Sequence, residues 1–347
     1  MQITTIGLDL AKSIFQVHGI DAAGRMVVAK PLRRGQMLTF FAKLAPCLVG
    51  MEACSTAHHW ARELMKLGHQ VRLMPPAYVK PYVRRGKNDA ADAAAICEAV
   101  TRPSMRFVPV KSIEQQAALM AHRSRDLLIR QRTQLINALR GHLAELGLVA
   151  AQGREGVAKL IGLVRTQALP TTVRAALLPL IGQLTALQQQ LAALDEAIHA
   201  QHRASEASRR LETIPGIGMI GATAIAATIT DSGAFRSGRD LAAWIGLVPR
   251  QSSSGGKERL GSISKQGDRY LRKLLVVGAS AVLRHARSHP DKHPWLMQLL
   301  ARRPAKVAIV ALANKMARIA WAVLTRGETY RAPMLAVSAT KGSATAA

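Results

Sequence analysis

The order of short apolar segments in the first hundred residues constrains the fold of this chain more than any other feature. The segments cover residues 3–9, 15–21, 24–30, 47–53 and 70–76. The first three are divided by turn-like residues and predict a meander of strands. The last two alternate with helical patterns, which is typical of parallel strands joined by helices. The sequence therefore predicts an α/β domain at the N-terminus.

Acidic residues stand at the ends of these predicted elements. Asp9 ends the first strand, and Glu52 lies near the end of the fourth. Asp89 and Asp92 lie three residues apart, on one face of the last predicted helix of this domain. Neighbouring parallel strands present their carboxyl ends at one edge of a sheet, so the four carboxylates converge if that helix packs across the edge. Each acid alone is also compatible with a turn, a helix cap or a solvated helix face.

Converging carboxylates repel one another unless cations lie between them. Hard oxygen ligands suit Mg²⁺ or Mn²⁺, and two such ions about 4 Å apart support phosphoryl transfer. The charge of the chain points to the same chemistry. Lys and Arg number 48 against 21 Asp and Glu, which gives a formal net charge of +27 spread over the whole sequence. This charge favours a nucleic-acid partner over a membrane surface, for which basic residues are concentrated in one helix or run.

The middle of the chain carries two long helical patterns. One covers residues 112–147 and opens with Ser112 and Gln115, which form a capping-box pair. The other covers about 175–208, with apolar residues at the three-and-four spacing of a coiled-coil seam. These residues are Leu184, Leu187, Leu191, Leu194 and Ile198. We expect the two helices to pair as an antiparallel arm, either within one chain or between two.

The segment after Leu211 predicts a compact helical domain with two features suited to a phosphate backbone. The turn at 215–218 offers the N–H groups of Gly216 and Gly218 at a helix start, with a turn that only packs helices as an equal alternative. The loop at 252–256 is rich in serine and glycine. The basic residues that flank it are Arg250, Lys257, Arg259, Lys265, Arg269, Arg272 and Lys273. A serine in this loop attacks phosphorus only if a base, a metal or cations activate it.

Cysteine usage and apolar patterning indicate the cytoplasm. The three cysteines show neither paired nor zinc-ligand spacing, which fits a reducing compartment. The first residues lack the basic start and long apolar run of a signal peptide. The apolar segment from Ala305 to Leu324 contains Lys306, Lys315 and Arg318, so we interpret it as a buried helix and expect no membrane partner.

Taken together, these motifs resemble those of the DEDD transposases of bacterial insertion sequences, the one-ten family and within it the eleven-eleven group. The resemblance includes IGLDLAK with Asp9, GMEA with Glu52, and KNDAADA with Asp89 and Asp92. It continues through IPGIG at 214–218, LAAWIGLVPR at 241–250 and SSGGKERLGSISKQGDRYLR at 253–272. Each motif is weak alone, but their order and spacing are highly specific.

The resemblance implies that the chain has four parts. The fold is α/β in the first part and mainly helical in the parts that follow. The four parts are an RNase H/RuvC-like DEDD domain at 1–105, a helical linker and coiled coil at 106–208, a C-terminal transposase domain at 209–331 and a disordered tail at 332–347. The four acids are implied to be catalytic and to hold Mg²⁺, with Mn²⁺ as the alternative. The implied location is the bacterial cytoplasm, in association with the nucleoid.

The resemblance also implies a mechanism. Family members are described as recombinases guided by a structured bridge RNA that pairs with donor and target DNA. A serine of one protomer attacks the scissile phosphate next to the acids of another, so a dimer or tetramer is expected. Ser254, the serine before the glycines, carries over as the nucleophile, with Ser253 as the alternative. Reading of sequence by RNA pairing also fits the aromatic content of only 4%.

Other functions share parts of this pattern. A metal-dependent nuclease of the Holliday-junction type uses the four acids and needs no serine. A non-enzymatic nucleic-acid-binding protein retains the acids only as structural groups. A transposase that reads the ends of its element directly, without RNA, also fits the residues.

Overall fold

The computed structural model of the protein describes residues 2–83 and 88–331. The chain divides into two compact units, Met1–Gln116 and Ala117–Ala347. The tail at 332–347, which the sequence predicts to be disordered, lies outside the described residues. The domain boundaries expected at residues 105 and 208 stay predictions.

The first unit is built around a five-stranded mixed sheet. Its strands are β1 (Thr5–Asp9), β2 (Ile14–Ile20), β3 (Met26–Arg33), β4 (Leu48–Glu52) and β5 (Gln70–Met74). They lie in the order β3-β2-β1-β4-β5. The pairs β1–β2 and β2–β3 are antiparallel, whereas β1–β4 and β4–β5 are parallel. The predicted meander followed by parallel strands is therefore confirmed.

Helices cover this sheet. They are α1 (Met37–Ala42), α2 (Ala57–Lys66), α3 (Pro76–Val79) and α4 (Asp89–Val100). The apolar pattern of α2 predicts that Trp60, Leu64 and Met65 all face inward. Trp60 and Leu64 are buried, but Met65 is 51% exposed, so that part of the prediction is wrong. Consecutive helical residues point about 100° apart, and the inward face of α2 accommodates only the first of the two neighbours.

The sequence pattern predicts a helix from Tyr78 to about Val100, with Pro81 and Gly86 as residues that can break its first part, and the described residues do not form one continuous helix. The short helix α3 ends at Val79, and α4 begins only at Asp89. Pro81 lies just after α3 and has no backbone N–H to donate to a preceding turn, which disfavours a continuous helix. The break makes Asp89 and Asp92 part of the first turn of a helix rather than its middle.

The arm of the chain consists of three helices. They are α5 (Ile113–Ala144), which begins at the end of the first unit, α6 (Arg154–Thr166) and α7 (Thr171–Ala204). The predicted capping box of α5 is confirmed: Ser112 N donates to Gln115 Oε1 over 2.8 Å, and Gln115 N donates to Ser112 Oγ over 3.2 Å. The sequence predicts an irregular or partly helical connection from Gly153 to about Thr172, and α6 shows that most of it is helical.

The two long helices pack antiparallel within one chain. Leu139 of α5 and Ile181 of α7 share one buried apolar cluster, and farther along the pair Arg125 of α5 forms an ion pair with Asp195 of α7. Partners of residues later in α5 therefore lie earlier in α7, which shows that the two helices run in opposite directions. The sequence pattern predicts a helix from about residue 175 with Pro179 in its first turn or just ahead of it, but α7 begins at Thr171 and Pro179 lies inside it. The apolar side chains around it are buried in the same cluster, and this packing stabilises the helix despite the missing hydrogen bond.

The rest of the second unit is mainly helical. Its elements are α8 (Glu206–Glu212), α9 (Met219–Thr228), α10 (Gly238–Ile245), β6 (Pro249–Gln251), β7 (Leu260–Ile263), α11 (Arg269–Ser288), α12 (Pro294–Arg302) and α13 (Ala305–Arg326). Helix α13 is long and apolar enough to cross a membrane by length and composition. Its Ala313, Met316 and Ala320 are buried among residues of α9, α10 and α11, so it is a core helix, as predicted.

A buried polar network joins α5 to the helices that follow. His122 Nε2 lies 3.0 Å from Thr223 Oγ1 of α9, and its Nδ1 lies 3.2 Å from the hydroxyl of Tyr270 at the start of α11. Burial lowers the pKa of His122 to about 4, with a smaller contribution from the charge of Arg125. The ring is therefore neutral near pH 7 and fixes the orientation of α5 relative to α9 and α11.

Candidate functional site

Carboxylates converge at the carboxyl ends of β1 and β4. Ligand oxygens of Asp9, Asp89 and Asp92 all lie within 4.8 Å of one another. Asn88 caps α4, since its side chain accepts from Ala91 N over 2.7 Å, and this cap fixes the first turn that carries two of these acids. The convergence expected from strand order and helix spacing is therefore present for these three residues.

Glu52 stands beside this cluster. Burial is the largest cause that raises its pKa, followed by the negative charges of Asp9 and Asp92. The raised pKa shows that Glu52 lies within electrostatic reach of both aspartates. Asp9, Asp89 and Asp92 therefore form a carboxylate cluster with Glu52 beside it, and hard oxygen donors of this kind fit a hard divalent cation.

Two glycines explain why α4 lies so close to the strands. Gly7 of β1 and Gly50 of β4 are opposite each other in the parallel register. A Cβ on Gly7 would lie 2.1 Å from the carbonyl oxygen of Ala93, and one on Gly50 would lie 2.7 Å from Cβ of Val100. Side chains on a strand alternate, so the residues two positions after each glycine, Asp9 and Glu52, lie on this same face. The glycines thus allow α4 to approach the face that carries the acids.

The serine-rich segment forms a β-hairpin, whereas the sequence predicts a serine- and glycine-rich loop. Strands β6 and β7 pair antiparallel, and Ser254 and Lys257 form a further bridge at the tip. The two residues between them, Gly255 and Gly256, have φ of +55° and +74°. Two consecutive positive φ values are what a tight two-residue hairpin turn requires, and glycine adopts them without strain.

The neighbouring serines of the hairpin differ in their partners. The hydroxyl oxygen of Ser253 accepts from Arg259 N over 3.2 Å and lies 3.1 Å from Gln251 Nε2, which donates to it. It therefore links Gln251 of β6 to Arg259, the residue just before β7. Ser254 contributes backbone groups to the tip, since its carbonyl accepts from Lys257 N over 3.1 Å. Its side chain is exposed.

Comparison with known proteins identifies the family. The family model described as "Transposase IS116/IS110/IS902 family" matches residues 208–294, and a second one, described as "Transposase" of the DEDD type, matches residues 6–147. A "Probable family 20 transposase" of Pseudomonas aeruginosa is 52% identical over 95% of this chain and 99% of its own length. The chain belongs to this transposase family.

Other relatives agree over nearly the same span. The transposase for insertion sequence element IS1111A of Coxiella burnetii is 42% identical, over 95% of this chain and 92% of its own length. The transposase for insertion sequence element IS1328 of Yersinia enterocolitica is 39% identical, over 94% of this chain and 98% of its own. The resemblance seen in the motifs is confirmed, and this transposase is a DNA-processing enzyme.

The predicted phosphate-binding cations of the transposase fall into two groups, apart from Lys273, whose Nζ forms an ion pair with Asp126 Oδ1 over 2.6 Å. Five of them are exposed in and around the hairpin: Arg250, Lys257, Arg259, Lys265 and Arg269. Arg272 is half-buried, and its guanidinium donates to the carbonyls of Ile245 at 2.7 Å and Gln266 at 2.8 Å. Arg272 therefore fixes the loop that follows the hairpin.

The two glycines of the PGIG turn also differ. Gly216 has φ of +87°, and its carbonyl oxygen would lie 1.9 Å from a Cβ on Gly278 of α11. This contact is the helix-packing alternative considered for the turn. Gly218 is exposed at the start of α9, where a Cβ would meet nothing within 4 Å. Of the two, Gly218 is therefore the one whose surroundings leave room for a phosphate.

Replacing Gly7 with alanine is expected to destabilise the transposase by about 3 kcal/mol, because the added methyl group would force α4 away from β1. The midpoint of urea unfolding measures this effect. Gly35→Ala is the matched control in the same unit, since its added Cβ would meet nothing within 4 Å. Equal midpoints for the two variants would show that α4 tolerates displacement and that close packing does not position the acids.

Proposed function

We propose that this transposase is a site-specific DNA recombinase guided by a bridge RNA, with the carboxylate cluster and the serine hairpin as its two catalytic parts. The observation that carries the proposal is the convergence of Asp9, Asp89 and Asp92 within 4.8 Å, with Glu52 beside them. Carboxylates this close repel one another, and a cation between them relieves the repulsion. The strand order β3-β2-β1-β4-β5 supports an RNase H/RuvC-like domain around this cluster.

The four acids would hold Mg²⁺, with Mn²⁺ as the alternative. When bound there, such an ion makes a nucleophile more reactive and stabilises the departing oxygen. The residues of the chain have a separate task. They fix the carboxylates through the cap at Asn88 and through the close approach of α4 at Gly7 and Gly50.

Ser254 is the proposed nucleophile. Its oxygen forms a bond to the scissile phosphorus, while the bond from phosphorus to a deoxyribose oxygen breaks. The serine loses its hydroxyl proton, and the departing oxygen gains one. Ser253 is the less suitable of the two serines, because its hydroxyl oxygen already accepts from Gln251 of β6 and from Arg259, the residue just before β7. The exposed cations of the hairpin would neutralise the phosphates on either side.

The proposal extends to partners. A guide RNA would read the target by base pairing, while the protein holds the backbone with its basic surface. A second protomer would supply the serine that acts with the acids of the first, and a coiled coil formed by the arm would join the protomers as a dimer or tetramer. The expected location is the cytoplasm, together with the nucleoid DNA.

The test is a recombination reaction in vitro with Mg²⁺, DNA of the element ends, a target plasmid and RNA transcribed from the flanking region. We expect joined product only when both Mg²⁺ and RNA are present, and none after EDTA or ribonuclease treatment. Product that survives ribonuclease would identify a transposase that reads its ends directly. Cleavage without joining would instead favour the metal-dependent nuclease of the Holliday-junction type.

A further inference from the structure

A groove in the second unit begins at the root of the serine hairpin. It has a volume of about 1200 Å³, and α13 forms most of one side, with α12, the start of α10 and the hairpin strands around it. The side chains in it are mainly apolar, and among the described residues that line it none is acidic. The basic residues that line it are Arg239, Lys306, Lys315 and Arg318. Such a surface fits an anionic ligand that also carries apolar faces.

Trp295 of α12 gives the groove an aromatic surface. Its side chain is 41% exposed, and Lys315 Nζ lies 4.3 Å from the ring centroid. Trp321 also lines the groove, and its Nε1 donates to the carbonyl of Ser232 over 3.1 Å, which fixes its ring. An exposed aromatic ring among cations is the combination that binds unpaired bases together with their phosphates.

We propose that this groove binds single-stranded DNA next to the cleaved phosphate, with one base stacked on Trp295 and the backbone phosphates neutralised by Lys315 and Arg318. Duplex DNA keeps its bases paired and stacked, so only an opened strand can present a base to the ring. The inference rests on the proposed function, because it takes the DNA strand attacked by Ser254 as the occupant of the groove.

Continuity with the hairpin favours DNA over the guide RNA. Pro249 and Ile263 pair with each other at the root of the hairpin, and both line the groove. Ser254 lies five residues beyond Pro249, a distance of about 17 Å along an extended strand. A strand that leaves the groove along the hairpin therefore reaches the serine, and the strand cut there is DNA.

Quenching of tryptophan fluorescence tests the proposal at the ring itself. The full chain carrying Ser254→Ala is titrated in EDTA with single-stranded oligothymidylate, and in parallel with oligouridylate. Trp295→Leu is compared with Trp244→Leu, the matched control outside the groove, because Trp244 is exposed to a similar degree, 39%. We expect the quenching by DNA to disappear in Trp295→Leu and to persist in Trp244→Leu, and the Kd for oligothymidylate to rise about tenfold in the former.

A second pair of variants leaves Trp295 in place, so that the test does not depend on whether Trp295→Leu folds. Lys315→Met is expected to lower the salt slope of oligothymidylate binding by about 0.7, the contribution of one neutralised phosphate in a single strand. Lys159→Met on α6, an exposed lysine outside the groove lining, is its control and should leave the quenching at Trp295 unchanged. Thermal melting curves of all variants show whether each one remains folded.

Three results would overturn the inference. They are equal quenching in Trp295→Leu and the parent, equal loss in the Trp244→Leu control, or quenching at Trp295 by oligouridylate alone, which would identify the groove as an RNA site. Since these titrations involve no cleavage, they are independent of whether Ser254 is the nucleophile. Failure of the serine mechanism would leave a positive titration standing, and failure of the titration would leave the serine mechanism untouched.

Discussion

Asp9→Asn is expected to lower the rate of DNA strand cleavage by roughly a thousandfold, because one ligand of the catalytic cation loses its charge. The change is isosteric, so the sheet should retain its structure. In the absence of metal, the melting temperature of the variant should equal or exceed that of the parent protein. Asp9 lies within 4.8 Å of the ligand atoms of Asp89 and Asp92, and removing one charge relieves their mutual repulsion.

The pKa of Glu52 gives this prediction a pH dependence. The charge of Asp9 is one of the causes that raise this pKa, after burial. An acid whose pKa is raised by folding stabilises the folded state at low pH, and this contribution is lost as the pH rises through the folded pKa. The metal-free protein therefore loses stability as Glu52 ionises above its ordinary pKa. Asp9→Asn should weaken that loss, and added Mg²⁺ should reverse it in the parent protein by binding the ionised cluster.

Thermal melting with and without Mg²⁺ measures these effects. Glu98→Gln is the matched control, since Glu98 lies on the same helix and pairs with Arg102 outside the cluster. The control should keep both cleavage and the rise in melting temperature with Mg²⁺, whereas Asp9→Asn should lose both. If Asp9→Asn retained cleavage and the Mg²⁺-dependent rise, the cluster would not be the metal site.

The carboxylate cluster was predictable because strand order and helix spacing determine where its residues lie. Parallel β1 and β4 must end at the same edge, and a three-residue spacing must place Asp89 and Asp92 on one helix face. The closeness of α4 was not predicted, although Gly7 and Gly50 carried a signal. A glycine inside an apolar strand often marks the close approach of another backbone, and two of them in register mark a helix crossing.

Local geometry that depends on tertiary packing was harder to predict from the sequence. Pro179 was expected at the start of a helix, since a proline in the interior removes a hydrogen bond and usually ends the helix. Burial of Leu177 and Ile181 on either side stabilises α7 through it. Met65 shows the reverse case, because a pattern of apolar residues cannot tell which of two neighbours the sheet leaves exposed.

The serine hairpin was only partly predictable from the sequence. The serine- and glycine-rich composition of residues 252–256 predicts a loop, yet a pair of glycines between two extended segments is also the pattern of a tight hairpin turn. The role of Ser253 depends on this difference. In a flexible loop the adjacent serines are equivalent, whereas in the hairpin the hydroxyl of Ser253 is engaged between the strands.

Ser254→Ala is expected to abolish the covalent protein–DNA intermediate and to reduce recombination to background. The variant removes only an exposed hydroxyl, and the backbone contact from Lys257 N to the carbonyl of residue 254 does not depend on it. The hairpin should therefore remain folded. The measurement uses end-labelled DNA of the element ends with Mg²⁺ and RNA, resolved on denaturing protein gels, where an intermediate appears as label that migrates with the protein.

Ser253→Ala is the matched control, and it distinguishes a serine that attacks phosphorus from a serine that only stabilises the hairpin. It removes the acceptor for Arg259 N and Gln251 Nε2, which costs about 1 kcal/mol of hairpin stability and should slow the reaction several-fold without removing the labelled protein. If the label disappears with Ser253→Ala and persists with Ser254→Ala, Ser253 is the nucleophile. If both variants cleave as the parent does and no label migrates with the protein, water is the nucleophile at the carboxylate cluster, and the metal-dependent nuclease replaces the serine recombinase.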